Sequence, residues 1–224
     1  MKVVQCWDDG VVDDIRLVEI LRKYHARATF NLNPGVGAPD KAVTTWTYQG
    51  TYPVYRLARN DWRSLYDGFC VASHGMRHQR PDGCELPVFL ADAVDARKYL
   101  EDLFQQECPG YAWPCGATTP ESVAAMKEAG FAYGRTTRYT DHVTGYADPL
   151  MLNTNCHFLD PDFEAKLTAA KERGEEFFYF WGHAYETVGD EAIWNLLESR
   201  IAAVTNDPEL QWADVIDIFR PGKE

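Results

Sequence analysis

Short apolar runs alternate with amphipathic stretches along almost the whole chain, and this rhythm constrains the fold more than any other feature. Residues 3–7, 28–32, 69–72, 111–113, 131–133, 150–157, 177–181 and 212–218 read as strands. Between them, residues 14–25, 61–66, 86–106, 120–129, 163–173 and 191–204 read as helices. In the first helix Ile15, Val18, Leu21 and Tyr24 recur at helical spacing. In the fourth, Thr119 can cap, Pro120 takes the first helical position and Gly130 stops the helix. Strands separated by helices pair in parallel and are covered by those helices. The expected fold is α/β, a single-domain distorted (β/α) barrel of about seven or eight parallel strands spanning residues 1–224. Residues 33–60 have no clean period, and a loop this long in a compact domain is usually functional or disordered. Its aromatics Trp46, Tyr48, Tyr52 and Tyr55 suit a pocket wall or a structural lid.

The polar residues follow the same rhythm. Asp8, His74, Pro114, Arg135 and His183 all fall at or just past the ends of expected strands. In a barrel those ends form one face, where active sites are built. Three sites far apart in sequence meet there: Asp8-Asp9-Gly10, Ser73-His74-Gly75-Met76-Arg77-His78 and Trp181-Gly182-His183. Two carboxylates and two histidines can supply a three-ligand metal site with a base to spare, and a third histidine can act as an acid. Each motif alone has a plainer reading. Asp-Asp-Gly suits a turn or a helix cap, a four-residue histidine spacing arises by chance, and a lone histidine is commonly a hydrogen-bonded core residue. Their convergence on one rim is what favours chemistry.

Charge narrows the partners. The net charge of −12 argues against nucleic acid and anionic membrane surfaces, and it favours a neutral or cationic substrate. No apolar run is long enough to span a bilayer. The start runs directly into a strand without a leader pattern, so the expected location is cytoplasmic. The six cysteines show no paired spacing and are expected to be reduced thiols.

These residues resemble the polysaccharide deacetylases of carbohydrate esterase family 4. Cys6-Trp7-Asp8-Asp9-Gly10 is similar to that family's T-F-D-D-G motif, and Ala28-Thr29-Phe30 to its A-T-F strand. The segment from Ser73 to His78 is similar to its S-H-(S/T)-x-x-H motif. Ala112-Trp113-Pro114-Cys115-Gly116 is similar to R-x-P-Y-G, and His183 falls where a late histidine is expected. The resemblance implies a distorted (β/α) barrel. It also implies a divalent metal on Asp9, His74 and His78, usually zinc, with cobalt and nickel chemically plausible. Asp8 would then be the base and His183 the acid, flanking the attacking water. Trp113, Pro114, Cys115 and Gly116 would face the substrate, with a backbone N–H there receiving the oxyanion.

Two departures stand out. Ala112 replaces the family arginine that orients the base, and no D-x-x-D-W motif supports the acid histidine. The strand after Ala112 leads into Arg135-Thr136-Thr137-Arg138 on the same rim. A guanidinium is planar and always charged, so Arg135 is expected to reach Asp8 in place of the missing group, with Arg138 as the second choice. The expected function is a metal-dependent hydrolase that removes acetyl groups from N- or O-acetylated carbohydrate, acting on a small molecule or an oligosaccharide. Hydrolysis of another non-peptide C–N bond in a small amide is the enzyme alternative. A non-catalytic carbohydrate-binding protein that retains the barrel is the alternative from another class.

Overall fold

The computed structural model describes residues 1–220, so the last four residues of the expected 1–224 domain lie outside the described residues. In chain order the elements are β1 (Lys2–Asp8), α1 (Asp14–Lys23), β2 (Thr29–Leu32), β3 (Val43–Tyr48), β4 (Tyr52–Arg56) and α2 (Arg59–Leu65). Then come β5 (Cys70–Ser73), α3 (Leu86–Phe104), β6 (Gly110–Ala112), α4 (Pro120–Glu128), β7 (Tyr133–Tyr139) and β8 (Leu152–Thr154). The chain continues through β9 (Cys156–His157), α5 (Phe163–Glu172), β10 (Phe177–Gly182), α6 (Glu191–Asn206) and β11 (Gln211–Ala213). Eight strands pair in the order β8-β7-β6-β5-β2-β1-β10-β9, all in parallel, and form a nearly closed barrel covered by helices. β11 adds alongside the start of β1. Among the described residues no helix is long and apolar enough to cross a membrane.

The barrel is left open by one residue. Asn155 separates β8 from β9, the two ends of the strand order. Its backbone N–H donates to Tyr179 O at 2.7 Å, and its side chain accepts from Tyr179 N at 2.8 Å and donates to Thr140 O at 2.9 Å. The expected continuous strand over residues 150–157 is therefore two short ones, because Asn155 closes the seam with its side chain.

Alternation along the strands decides what faces inward. Val3 and Trp7 of β1 pack with Leu17 and Leu197 of the covering helices. Val4 and Cys6 face the other way and pack with Tyr133, Tyr179 and Trp181 in the barrel interior. Asp8 continues the inward series Val4, Cys6, Asp8, and Arg135 follows Tyr133 inward from β7. The period that fills the lumen thus also aims these two charged groups at each other.

Two expectations are corrected. Residues 33–60 contain an antiparallel hairpin, β3–β4, turning at Gln49 and Gly50, whose φ values of 51° and 72° are left-handed. The loop reading failed because a bulge between Thr44 and Trp46 shifts the alternation in β3, and the buried face of β4 carries the charged Arg56 beside Val54. The expected last strand over residues 212–218 stops at Ala213. Asp214 breaks the run by accepting from Arg27 and opening a short 3-10 turn, Val215–Ile218.

Asp14 sits beneath the rim with no exposure. Its Oδ2 accepts from Val11 N–H at 3.1 Å and from Tyr66 Oη at 2.6 Å, while Oδ1 has no partner. Burial pushes its carboxyl up to about 8, against the hydrogen bonds that favour the anion. A carboxyl raised on folding stabilises the fold below its unfolded pKa, and that contribution is lost as pH rises from about 4 toward the folded value. Asn at this position mimics the protonated acid. The melting temperature of Asp14→Asn relative to the wild type should therefore climb between pH 5 and pH 9 in scanning fluorimetry. A difference that stays flat across that range would contradict the burial argument.

Candidate active site

β1 ends in a turn that only an unusual backbone can make. Asp9 and Gly10 take φ values of 90° and 66°, and a Cβ on Gly10 would meet Leu32 and Trp62 at 3.2 Å. Asp8 and Asp9, adjacent in sequence, thereby reach one cavity from different directions. Both are buried, and each is held by its own arginine.

Asp8 Oδ1 accepts from Asn31 Nδ2 at 2.7 Å, and Oδ2 accepts from Arg135 Nη2. Arg135 is the ladder partner of Ala112 on the neighbouring strand, so the guanidinium comes from beside the position where the resembling family has its own. It lies third in β7 rather than at a strand end, and it stacks over Trp181 at 4.5 Å. Arg138 lies in the same strand and is exposed. Burial alone would raise the Asp8 carboxyl, but Arg135 with His74 and His183 outweighs it and holds the group far below the ordinary range. Burial likewise disfavours charge on Arg135, and Asp8 reverses that and raises it.

Asp9 is gripped by Arg56, the last residue of β4, which donates to the Asp9 carbonyl and to Asn33 Oδ1. Arg56 Nη2 also lies 3.0 Å from Asp9 Oδ1, without the alignment of a hydrogen bond, so that buried oxygen has no donor. His74 follows β5, and its Nδ1 contacts the Ala112 carbonyl at 2.7 Å. That contact puts the proton on Nδ1 and turns the Nε2 lone pair inward, 3.9 Å from Asp9 Oδ1. His78 returns to the same point because the loop is pinned. Asn33 donates to the Gly75 carbonyl at 3.1 Å, and Asp92 accepts from Arg77 N at 3.0 Å. Gly75 is required there, since a Cβ would stand 2.6 Å from Asp92 Oδ2. Burial lowers His74 to about 4 and lowers His78 as well, so both rings are neutral near pH 7.

Asp9, His74 and His78 offer one ligand atom each, all within 4.8 Å of one another. The orphaned Asp9 oxygen, the inward Nε2 of His74 and the one-carboxylate, two-imidazole donor set fit a divalent ion such as zinc.

His183 follows β10, with Nε2 3.8 Å from Asp8 Oδ2 and 3.9 Å from Asp9 Oδ2. It therefore stands closer to Asp8 than an acid and base on opposite sides of a water. Glu186, in the next turn, brings Oε2 to 3.1 Å from His183 Nδ1. Burial opposes a charge on His183, but Glu186, Asp8 and Asp9 outweigh it and lift the ring to about 9. Glu186 and Arg56 were not singled out in the sequence. His183-Ala184-Tyr185-Glu186 carries a local spacing signal, whereas Arg56 is 47 residues from Asp9 and carries none.

The cavity above these groups holds about 490 Å³. Trp113 and Cys115 line it with Trp46 and Tyr185, while Pro114 and Gly116 do not. Pro114 instead shapes the turn, in which Trp113 N–H goes to Arg135 O and Gly116 N–H to Trp113 O. Cys115 N–H is the donor of this turn that those bonds leave over.

The sequence profile of the polysaccharide deacetylase family matches residues 1–134. The chain belongs to this family. No curated protein matches this polysaccharide deacetylase family member. Among solved structures, Streptococcus pyogenes deacetylase PplD in complex with acetate is 22% identical, with 66% of this chain and 61% of that chain covered and a TM-score of 0.52. A Mycobacterium smegmatis protein described as a polysaccharide deacetylase is 16% identical, with 98% and 88% covered and a TM-score of 0.67. A family 4 acetyl xylan esterase from Clostridium thermocellum, in complex with a cobalt ion, is 12% identical, with 98% and 91% covered and a TM-score of 0.60. The chain spans less than two thirds of the first of these and most of the other two. At these identities the likeness establishes the shared fold.

The buried Asp8–Arg135 pair makes a thermodynamic prediction. Arg135→Met should cost about 3–5 kcal/mol in chemical denaturation, because it strands the Asp8 charge. Adding Asp8→Asn should recover much of that loss. Strictly additive losses in the double variant would contradict a direct pairing.

Proposed function

We propose that the protein is a hydrolase that removes acetyl groups from an N-acetylated carbohydrate, using a divalent ion held by Asp9, His74 and His78. The observation that carries this reading is the meeting of Asp8 and His183, 3.8 Å apart, beside a metal-competent triad in one cavity. Family membership supports the same reaction class.

When bound, the ion supplies Lewis acidity at the acyl carbonyl. The other tasks belong to the chain. Asp8 takes the proton of the attacking water. Arg135 keeps it ionised at working pH, which makes it a weaker base, and close positioning compensates for that. Arg135 and Asn31 fix both of its oxygens, so the carboxylate cannot rotate away. Cys115 N–H faces the oxygen on which negative charge develops as the carbonyl carbon becomes tetrahedral. His183 gives its Nε2 proton to the leaving nitrogen, so the products are acetate and a free amine. Trp46, Tyr185 and Trp113 wall the cavity and keep bulk water from the charged groups. The side-chain hydrogen bond from Arg135 to Asp8 supplies the contact that Ala112 cannot make, which supports this reading.

Acetate release from N-acetylated oligosaccharides tests the proposal. Asp8→Asn and His183→Ala should each lower kcat by roughly 10²–10⁴-fold. Chelation should abolish turnover and added zinc should restore it. Acetate release that survives chelation, or that is near normal in Asp8→Asn, would overturn the mechanism. Turnover of small amides without acetate release from sugars would move the substrate to another C–N bond.

A further inference from the structure

His157 has no part in the chemistry described so far, yet it is built into the same wall. It forms β9 with Cys156 and is the ladder partner of Trp181 on β10. Its ring is wedged between Phe158, 4.9 Å away, and the edge of Trp181, 5.0 Å away. Leu159 N–H donates to its Nδ1 at 3.2 Å. With Nδ1 accepting, the ring proton of the neutral imidazole sits on Nε2. That nitrogen lies 2.7 Å from Glu186 Oε2, in close contact but without the alignment of a hydrogen bond.

The same carboxylate oxygen serves His183 twice. It accepts from His183 N–H at 2.9 Å and lies 3.1 Å from His183 Nδ1. One hydrogen bond and two close ring-nitrogen contacts therefore meet on one oxygen. Two of them involve His183, which Glu186 positions, and the third, from His157, comes from a neighbouring strand. Glutamate has three side-chain torsions, and a carboxylate held only from its own turn would retain rotamers that leave His183. A donor from outside that turn removes this freedom.

We propose that His157 is a positioning residue for the proton donor. It clamps Glu186, and Glu186 in turn holds the His183 ring with Nδ1–H engaged and Nε2 turned into the cavity. This inference rests on the reading of His183 as the acid.

The competing use of these groups is a second metal site, since ligand atoms of His157, His183 and Glu186 lie within 4.8 Å of one another. The bond from Leu159 argues against it. With Nδ1 occupied as an acceptor, His157 Nε2 carries the proton and has no lone pair to give a metal. Nε2 stands 2.7 Å from Oε2, in contact with the carboxylate though without hydrogen-bond alignment.

The test uses His157→Leu, which removes the donor, and His157→Gln, whose side-chain amide can replace it. In the metal-free protein, proton NMR of the nitrogen-15-labelled histidines should show a downfield, slowly exchanging His183 Nδ1–H signal. The signal should broaden or vanish in His157→Leu and persist in His157→Gln. In the zinc-loaded enzyme, His157→Leu should lower kcat by about 10-fold with KM and zinc content unchanged, and His157→Gln should recover most of it. A signal and a kcat that survive in His157→Leu would overturn the proposal. So would a second zinc equivalent that the wild type binds and His157→Leu does not. If the wild type releases no acetate, the functional reading fails, while the NMR comparison still decides whether His157 holds the ring.

Discussion

The Asp8–Arg135 pair is the interaction on which the rest of the site depends. Two opposite charges sit inside the upper barrel with almost no exposure. Such burial costs several kcal/mol per ion, and mutual attraction compensates only where geometry and further hydrogen bonds are good. Asn31 supplies the bond on the other carboxylate oxygen, and the Trp181 ring faces the guanidinium. The strands provide that geometry, because alternation in β1 and β7 points both residues inward. Asp8 is thereby fixed as an anion that another residue holds. Asp9, turned aside by its left-handed backbone, keeps an oxygen without a donor and faces the histidines. Two neighbouring carboxylates are given different surroundings by different arginines.

Much of this was legible in the sequence because it depends on local rules. The strand–helix rhythm follows from periodicity, and polar residues just past apolar runs mark the rim of a barrel. Arg135 could be connected to Asp8 because β7 follows β6 in the chain and also neighbours it in the sheet. The unread parts depend on long-range pairing or on partial burial. The β3–β4 hairpin carried a turn signal at Gln49-Gly50, but Pro53 and the bulge between Thr44 and Trp46 hid the strands. Arg56 became a site residue only when the hairpin placed it on Asp9. Glu186 was concealed by the expectation of support from a separate aspartate motif, when the support comes from the turn that follows His183. Asn155 looked like one more strand residue, and only the sheet order reveals it as the seam.

The hairpin also links the pocket roof to the metal-competent triad. Arg56 holds Asp9 from below, its guanidinium lies 4.7 Å from the Trp46 ring, and Trp46 packs edge-on against Tyr185 at 5.1 Å. Tyr185 lies 4.8 Å from the His183 ring. One chain of contacts thus runs from a carboxylate, through a guanidinium and two aromatic rings, to His183. The hairpin is thus tied to both Asp9 and His183 at the barrel mouth.

The division of labour between the two aspartates is the central claim, and metal binding tests it most directly. Zinc titration by calorimetry on Asp8→Asn and Asp9→Asn separates the two carboxylates without any substrate. The account predicts one zinc per chain in Asp8→Asn, as in the wild type, and loss of tight binding in Asp9→Asn. Equal loss in both variants, or unchanged binding in Asp9→Asn, would contradict it.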